Sequence, residues 1–305
     1  MPRPSSRVHR GLVGARDLVG AAYLADPALR GEYEREIAPR TVGALATIFA
    51  GVAFLPPRRV LDLGAGTGAG GHAVRARWPA AEVVAVDKVS GPGVIRGDVT
   101  RGLRAPGVEG RFDLIVAAHL LNELAAVLDS EGRTRLVLGW CRELLDAEGT
   151  CLLVEPALRE TSRGLLAVRD GLIAAGLFVV APCLWQGPCP ALARERDFCH
   201  ASAPAIADNR SRVDFSYLVV RKYGTPSSDT ARFRVVSDAM KDKGRLRFHA
   251  CGPVGRLLIT RLDRDCSPAN RALDAIDRGD VISLQGGTMQ ADGLRCGRDS
   301  AVERV

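Results

Sequence analysis

The sequence predicts an α/β protein whose parallel sheet follows an N-terminal helical cap and precedes a small β-rich appendage. Three observations lead to this fold class. Apolar positions recur at helical spacing before Pro56. After Pro57, short apolar strands alternate with helical stretches, which is typical of a parallel sheet covered on both faces. From Tyr217 onward the apolar runs are β-like, with no long helix between them before residue 269.

The N-terminal cap comprises residues 1–55. Apolar side chains follow helical spacing over residues 10–50, and Pro27 and Pro39 divide the pattern into separate helices. The stretch MPRPSSRVHRGLVGAR at the start is basic and contains no acidic residue. We interpret it as an exposed basic arm, with a mitochondrial transit peptide as the alternative, because it lacks the apolar core of a secretory signal.

The central unit comprises residues 56–220 and carries the alternating pattern. Its predicted strands are RRVLDLG, AEVVAVD, FDLIVAA and GTCLLVEP. Helices are predicted at about residues 68–78, 120–127, 130–146 and 161–175.

The appendage comprises residues 221–305. From Tyr217 onward the β-like runs are YLVVRK, RFRVV, RLRFHAC and GRLLITRL, and a helix is predicted only at about residues 269–277. These features indicate a small, mainly β unit.

Length and composition are those of an ordinary globular protein. The chain has 305 residues, and typical domains contain roughly 100 to 200, so we expect one large domain and a smaller one. Hydrophobic residues make up 47% of the chain, enough to fill a sizeable core. The longest nearly uninterrupted apolar run, Val42–Leu55, falls short of the roughly 20 residues that cross a bilayer, so no transmembrane span is predicted.

Basic charge is concentrated in one segment. The net charge is +7, and the segment from Arg221 to Arg264 contains eleven basic and four acidic residues, which accounts for the whole excess. A local excess of this kind is expected where a protein contacts phosphates. A solvated basic face on a small β domain is the alternative.

A glycine-rich motif, VLDLGAGTGAGG, begins at Val60. A buried strand leads into Asp62, Gly64, Gly66 and Gly68, where missing side chains let the backbone turn sharply and approach a ligand. The run DLGAGTG, with an acid two residues before its first glycine, resembles the S-adenosylmethionine loop of class I methyltransferases. A nicotinamide-binding Rossmann domain, whose loop receives a pyrophosphate, is the alternative.

Two further acids strengthen this interpretation. Asp87 ends the second predicted strand, where a carboxylate can accept both ribose hydroxyls. Asp98, in RGDV, follows a third predicted strand, a position where the adenine of the cofactor is often bound. We therefore predict that S-adenosylmethionine binds at Asp62, Gly64, Gly66, Gly68, Asp87 and Asp98.

The catalytic candidates follow the next two strands. His119, Asn122 and Glu123 lie in AAHLLNEL, and Glu155 lies in LLVEPAL. Both positions border the substrate side of such a fold. Methyl transfer can also proceed by proximity and orientation alone, and Asn122 and Glu123 could instead cap the helix that follows.

Four of the eight cysteines are candidate metal ligands: Cys183, Cys189, Cys199 and Cys251. Three lie on the proline-broken loop 181–200, and grouped thiols without a secretory signal are more often metal ligands than disulfides. The spacing C-x5-C-x9-C-x51-C fits neither zinc ribbons nor the bacterial ferredoxin pattern. The spacing therefore does not identify the metal. A zinc site of three cysteines and one histidine, His200 or His249, is the alternative. The remaining cysteines, assigned to core or surface packing, are Cys141, Cys151, Cys266 and Cys296.

The chain resembles the methyltransferase-like small-ribosomal-subunit assembly proteins, whose mitochondrial members act on the mitoribosome. The resemblance covers most of the chain and rests on YLADPALRGEYEREIAPRT, VLDLGAGTGAG, FDLIVAAHLLNEL, LLVEPA, APCLWQGPCP with DFCH, DFSYLVVRK and RGDVISL. It implies a class I methyltransferase fold and binding to small-subunit ribosomal RNA. It also implies a [4Fe-4S] cluster held by Cys183, Cys189, Cys199 and Cys251.

Two functional classes follow. The first is a small-ribosomal-subunit assembly or translation factor that uses the methyltransferase fold as a scaffold and binds rRNA. The second is an active S-adenosylmethionine-dependent methyltransferase on RNA or another substrate. We favour the first, and we expect a monomer that does not bind membranes and resides in the cytoplasm, or in the mitochondrial matrix of a eukaryote.

Overall fold

A computed structural model describes residues 6–20, 22–89, 91–103, 107–204, 212–226, 228–291 and 293–305. These residues form two eight-stranded sheets with helices packed against the first. Shorter helical turns include a π-helix at Arg10–Gly14 and 3-10 helices at Tyr23–Ala25, Pro190–Ala193 and Asp263–Asp265. The α-helices are α1 Arg7–His9, α2 Pro27–Glu36, α3 Ala38–Gly51, α4 Ala69–Arg77, α5 Leu120–Leu124, α6 Ser130–Glu143 and α7 Arg159–Ala174.

The strands of the first sheet are β1 Arg59–Leu63, β2 Glu82–Asp87, β3 Val94–Arg96, β4 Phe112–Ala118, β5 Leu145–Pro156, β6 Phe178–Ala181, β7 Ala201–Pro204 and β8 Arg212–Arg221. Their order is β3-β2-β1-β4-β5-β8-β6, with β7 paired to β8. Strands β1 to β5 pair in parallel, and β8 runs antiparallel between β5 and β6. The predicted α/β class is therefore confirmed.

Helices cover both faces of the first sheet because each presents an apolar stripe. On one face α3 buries Leu45, Ile48 and Phe49 against β1, β4 and β5. On the other face α6 and α7 bury residues that include Val137 and Leu165. Local signals fix where helices begin: Asp26 accepts hydrogen bonds from the N–H groups of residues 28 and 29, and a proline occupies the first position of α2.

The strands of the second sheet are β9 Arg232–Val235, β10 Met240–Asp242, β11 Arg245–Gly252, β12 Gly255–Leu262, β13 Val281–Gln285, β14 Thr288–Gln290, β15 Gly293–Cys296 and β16 Ala301–Arg304. Their order is β14-β15-β12-β11-β9-β13-β16, with β10 paired to β11. Phe233, Phe248 and Ile259 lie in the separate core of this sheet. The helix predicted near residues 269–277 is a 3-10 helix at Pro268–Ala275, capped by Ser267.

The N-terminal segment does not form an exposed arm from Ser6 onward, which corrects the sequence interpretation. Val8 is fully buried, and its N–H donates to Glu32 at 3.1 Å. The Ser6 hydroxyl donates to Glu36 at 2.6 Å. The segment therefore folds back on α2, while residues 1–5 lie outside the described chain. In the described part, none of the helices has the length and apolar character needed to span a bilayer.

Candidate functional site

The glycine-rich loop joins β1 to α4 at the carboxyl end of the parallel strands. Gly64 and Gly66 have φ values of +66° and +53°, a region that strains residues with a Cβ. The Gly64 N–H donates to the Val86 carbonyl at 2.9 Å, and the Gly66 N–H donates to Asp87 Oδ2 at 2.9 Å. The loop is thus fastened to the end of β2.

A cleft of about 160 Å³ lies beside this loop. Three of the six predicted cofactor residues line it, namely Gly64, Gly66 and Asp87. Tyr23 and Leu24 of the N-terminal segment form part of the opposite wall. A Cβ at Gly66 would lie 3.2 Å from Leu24 Cδ1, so a larger residue in the loop would require the Leu24 side chain to move.

The other three predicted cofactor residues do not line the cleft. Asp62 is buried, and it accepts a hydrogen bond from the Gly71 N–H at 2.8 Å that ties the end of β1 to α4. Gly68 is the N-cap residue of α4 at φ +87°. The Asp98 carboxylate turns to the N–H and hydroxyl of Thr100 at 2.9 and 2.7 Å, whereas its neighbours 97 and 99 line the cleft.

Glu155 fixes the start of α5. It is 1% exposed, and its carboxylate accepts hydrogen bonds from the N–H groups of Leu121 and Asn122 at 2.8 and 3.1 Å. Burial raises the pKa of Glu155 to about 8, against the lowering effect of these two bonds. Glu155 therefore positions Asn122 and Glu123, and it does not itself line the cleft.

His119 is held as a neutral imidazole at the cleft. The backbone of His119 has φ +61°, and its backbone N–H donates to the Val154 carbonyl at 2.7 Å. The imidazole Nε2 lies 3.1 Å from Thr41 Oγ1. Burial lowers the pKa of His119 to about 4. Near neutral pH the side chain can therefore donate or accept a hydrogen bond, but it carries no charge.

Tyr23 and Glu123 meet across the cleft. The Tyr23 hydroxyl donates to Glu123 Oε1 at 3.0 Å. Burial, partly offset by this bond, raises the pKa of Glu123 to about 7. Nearby, Arg16 Nη2 donates to Asn122 Oδ1 at 2.8 Å. Sequence reasoning missed both Tyr23 and Arg16, because their partners lie about a hundred residues away and no local pattern marks the contact.

The four candidate ligand cysteines interact electrostatically where loop 181–200 meets the second sheet. Burial, then charge repulsion from Cys183 and Cys189, raises the pKa of Cys199 to about 12. Burial, then repulsion from the other three thiols, raises the pKa of Cys251 to about 12. All four are free thiols. This mutual repulsion places them within electrostatic reach of one another, although Cys251 is distant in sequence.

Arg163 of α7 holds the loop of residues 181–200, which we call the cysteine loop. Arg163 Nη1 donates to the carbonyls of Ala191, Arg194 and Asp197 at 3.1, 2.7 and 2.8 Å. A side chain of the second sheet completes the junction, since Arg256 Nη1 lies 3.3 Å from Asp197 Oδ2. The loop is therefore clamped between α7 and β12.

The two histidines that compete as zinc ligands are placed differently. His200 lines a cavity at the junction together with Cys183 and Cys199. Its Nδ1 is buried and has no hydrogen-bond partner among the described residues. His249 lies on β11, and burial lowers its pKa. Across the described residues, no group of three or more His, Cys, Asp or Glu side chains is arranged to hold a metal ion.

The remaining cysteines lie apart from this cluster as predicted. Cys141, Cys151 and Cys296 are buried in the two cores, and Cys266 is exposed.

The basic segment presents part of its charge on the β10–β11 hairpin. Lys241, Lys243 and Arg245 are exposed there, and Arg245 and Arg247 share the single carboxylate of Asp242. Elsewhere in the unit several arginines pair with carboxylates, as Arg261 does with Asp274. The hairpin therefore keeps a net positive charge.

The strand order and the loop after β1 define a class I methyltransferase fold. The model of a family described as Mitochondrial small ribosomal subunit Rsm22 matches residues 40–275. The chain belongs to this family, which confirms the resemblance drawn from its motifs.

Comparison with solved structures gives partial likenesses to methyltransferases. The mitomycin 7-O-methyltransferase MmcR matches at 14% identity and TM-score 0.41, covering 68% of this chain and 60% of that one. The pyocyanin biosynthetic protein PhzM matches at 17% identity and TM-score 0.43, covering 65% and 60%. The chain thus spans about 60% of the length of these two proteins. A comparison with curated proteins gave no match.

Proposed function

We propose that this protein is an assembly or translation factor of the small ribosomal subunit that uses its methyltransferase fold as a scaffold. Family membership across residues 40–275 carries this proposal. The partner is the small subunit and its rRNA, in the cytoplasm or in the mitochondrial matrix of a eukaryote. The exposed, net positive β10–β11 hairpin supports contact with RNA phosphates.

S-adenosylmethionine is the proposed ligand of the cleft beside the glycine-rich loop. Gly64 and Gly66 have positive φ values and no side chains, so the backbone of the loop can approach a ligand closely. Asp87 offers a carboxylate at the end of β2. The bound molecule would supply an electrophilic methyl group. In this chain the backbone of the loop and Asp87 would bind and orient it.

A [4Fe-4S] cluster is the proposed occupant of the four-cysteine site. The donor set suits a cluster in kind, because the four cysteines are free thiols that interact electrostatically with one another. Burial raises the pKa of Cys189, Cys199 and Cys251, and nearby arginines oppose this rise: Arg256 acts on Cys199 and Cys251, and Arg169 on Cys189. A single zinc ion needs sulfurs at about 2.3 Å from one centre, whereas a cluster holds its thiolates further apart. The absence of a single-ion site in the described chain is therefore compatible with a cluster.

The test of the scaffold role is co-sedimentation compared with methyl transfer. Protein is mixed with immature small-subunit particles and labelled S-adenosylmethionine. Co-sedimentation without transfer of label to RNA or protein is expected. Failure to sediment with the particles would refute the proposed role.

An active methyltransferase is the second candidate, favoured by one observation. Glu123 lines the cleft with a pKa raised by burial to about 7, a value suited to accepting a proton near neutral pH. Label appearing in rRNA, and lost in Glu123→Gln while co-sedimentation is kept, would establish this second function.

A further inference from the structure

The strands of the second sheet close into a barrel. Strand β9 pairs with both β11 and β13, β11 pairs with β12, and β12 runs parallel to β15. Strand β13 pairs with β16, which follows β15 in the chain after the turn of residues 297–300. If β15 and β16 are taken as one bent strand, five strands form a closed ring. Their cyclic order is that of the OB fold, a Greek-key barrel.

Alternate residues of β11 and β12 face outward from this barrel. Burial alternates along β11, with Leu246, Phe248 and Ala250 in the core. The register of β11 with β12 pairs the outward positions of the two strands with one another. These cross-strand pairs are Arg245 with Leu262, Arg247 with Thr260, His249 with Leu258, and Cys251 with Arg256. One outer face of the barrel therefore carries arginines, an imidazole and aliphatic side chains.

The cysteine loop covers one end of this face. Its turn Pro190–Ala193 packs against β12, and Arg256 Nη1 lies 3.3 Å from Asp197 Oδ2. Arg194 of the same loop is exposed, and it lies close enough to His249 to act on the imidazole electrostatically. The covered end holds Cys251, whereas the other end of the face is bordered by the β10–β11 hairpin. The open part between the loop and the hairpin is called the barrel groove below.

The barrel groove combines a ring surface with positive borders. Its floor contains the cross-strand pair His249 and Leu258, both partly exposed. Arg194 provides a cation on the side of the cysteine loop. The exposed cations on the side of the hairpin are Lys241, Lys243 and Arg245. A single nucleic-acid strand needs both features, because it presents the faces of its bases and a negative charge at every phosphate.

We propose that the barrel groove binds a single-stranded segment of RNA, with one base stacked on His249 and phosphates paired to Arg194 and Arg245. An imidazole ring can stack on an unpaired base. In a duplex the base faces are already stacked on one another, so a duplex would meet only the charges of the borders. The inference rests on the proposed function for the source of the strand, and it adds the site and the single-stranded form of the RNA.

The test compares a single-stranded RNA decamer with the same decamer annealed to its complement. Binding to the full chain, purified without oxygen, is measured by fluorescence anisotropy at one salt concentration. The test variants are His249→Ala, His249→Phe and Arg194→Glu. The matched controls, His72→Ala and Arg142→Glu, replace exposed residues of α4 and α6. Metal content and circular dichroism check that each variant keeps the state of the wild type.

We expect His249→Ala to bind the single strand at least about fivefold more weakly than the wild type, and His249→Phe to restore binding. Arg194→Glu should also weaken binding, while both controls leave it unchanged. Equal affinity of folded His249→Ala overturns the inference. A duplex or a polyglutamate peptide that binds as tightly as the single strand overturns it as well, because the groove would then recognise charge alone.

Co-sedimentation with immature small-subunit particles separates this inference from the proposed function. A wild type that co-sediments with the particles but binds no single-stranded decamer overturns the barrel groove and leaves the proposed function standing. Decamer binding that depends on His249 and Arg194, without co-sedimentation, refutes the proposed function and leaves the barrel groove standing.

Discussion

The Arg169 guanidinium lies against the sulfur of Cys183, with Nε 3.4 Å from Sγ. Arg169 is 1% exposed, and its other nitrogens donate to Asp170 and to the carbonyls of Trp185 and Gly187. Although burial opposes it, interaction with Cys183 and Asp170 raises the pKa of Arg169. One buried cation on α7 thus organises the first half of the cysteine loop.

Replacing Arg169 with methionine should destabilise the protein by about 3–5 kcal/mol, since the Asp170 carboxylate loses its cation and the carbonyls of Trp185 and Gly187 lose their donor. The free energy of unfolding by urea measures the loss. Arg135→Met, which removes an exposed arginine from α6, is the control and should change stability by less than about 1 kcal/mol. Equal effects of the two substitutions would contradict a structural role for Arg169.

Cys251→Ser should abolish cluster binding, because this residue supplies the thiol from the second sheet. When purified without oxygen, the wild-type protein should be brown and contain iron and sulfide. The variant should be colourless. RNA binding should also fall, since the proposed cluster would join the loop to the basic unit.

Cys266→Ser removes an exposed thiol and is the matched control for Cys251→Ser. It should keep colour, iron and RNA binding. A colourless wild type containing one zinc ion per chain would rule out the cluster and leave the ligand set to be tested for zinc, with His200 as a further ligand.

Gly66→Val should abolish binding of S-adenosylhomocysteine. The residue has φ +53°, and a Cβ there lies 3.2 Å from Leu24 Cδ1, so a branched side chain strains the loop and enters the cleft. Calorimetry measures the affinity. Gly139→Val is the control, because a Cβ at that helical position meets nothing within 4 Å. Unchanged affinity in Gly66→Val would remove this loop from the cofactor site.

Stability should fall as pH rises from 6.5 to 8. Burial raises the pKa of Asp62 and Glu123 to about 7 and that of Glu155 to about 8, from ordinary values of 3.8, 4.5 and 4.5. In this window the folded state therefore holds protons that the unfolded state has released, and the free energy of unfolding decreases with pH. Below pH 6.5 the buried His119, with its lowered pKa of about 4, acts in the opposite sense.

Glu155→Gln should flatten this dependence by up to about 1.4 kcal/mol per pH unit, the effect of one proton. Urea unfolding across the window measures the slope. Glu131→Gln, at an exposed carboxylate, should leave the slope unchanged. A wild-type stability that increases across the same window would contradict the protonated state of these carboxyl groups.

Reversing Arg245 and Arg247 to glutamate should weaken RNA binding and reduce its salt dependence by about one to two released counterions. Folding should be little affected because Arg245 is exposed and both side chains share one carboxylate. The matched control reverses Arg135 and Arg142, which are exposed on α6. Equal affinity of both double variants would indicate that the hairpin is only a solvated basic face.

Local patterns predicted the elements well where the signal is contained in neighbouring residues. The four strands of the alternating region and its helices were predicted to within a few residues at most ends. The segment near residues 269–277 was predicted as a helix and forms a 3-10 helix, because Pro268 and the capping bonds of Ser267 and Asn270 stabilise short turns there.

The candidate cofactor site was predicted in part. Gly64, Gly66 and Asp87 line the cleft because strand ends and loop glycines are set by local sequence. The direction of the Asp98 side chain was not predictable, since it depends on a competing hydrogen bond from Thr100.

The sequence by itself determined the strand and helix periodicity, the glycine-rich loop and which cysteines are candidate ligands, because these depend on residues close together in the chain. Only the tertiary structure decided that Tyr23 meets Glu123, that Arg169 meets Cys183, and that Cys251 joins the loop thiols. Such contacts depend on how helices and sheets pack over long chain separations. The packing is fixed by burial of apolar surface throughout the molecule, and no short pattern encodes it.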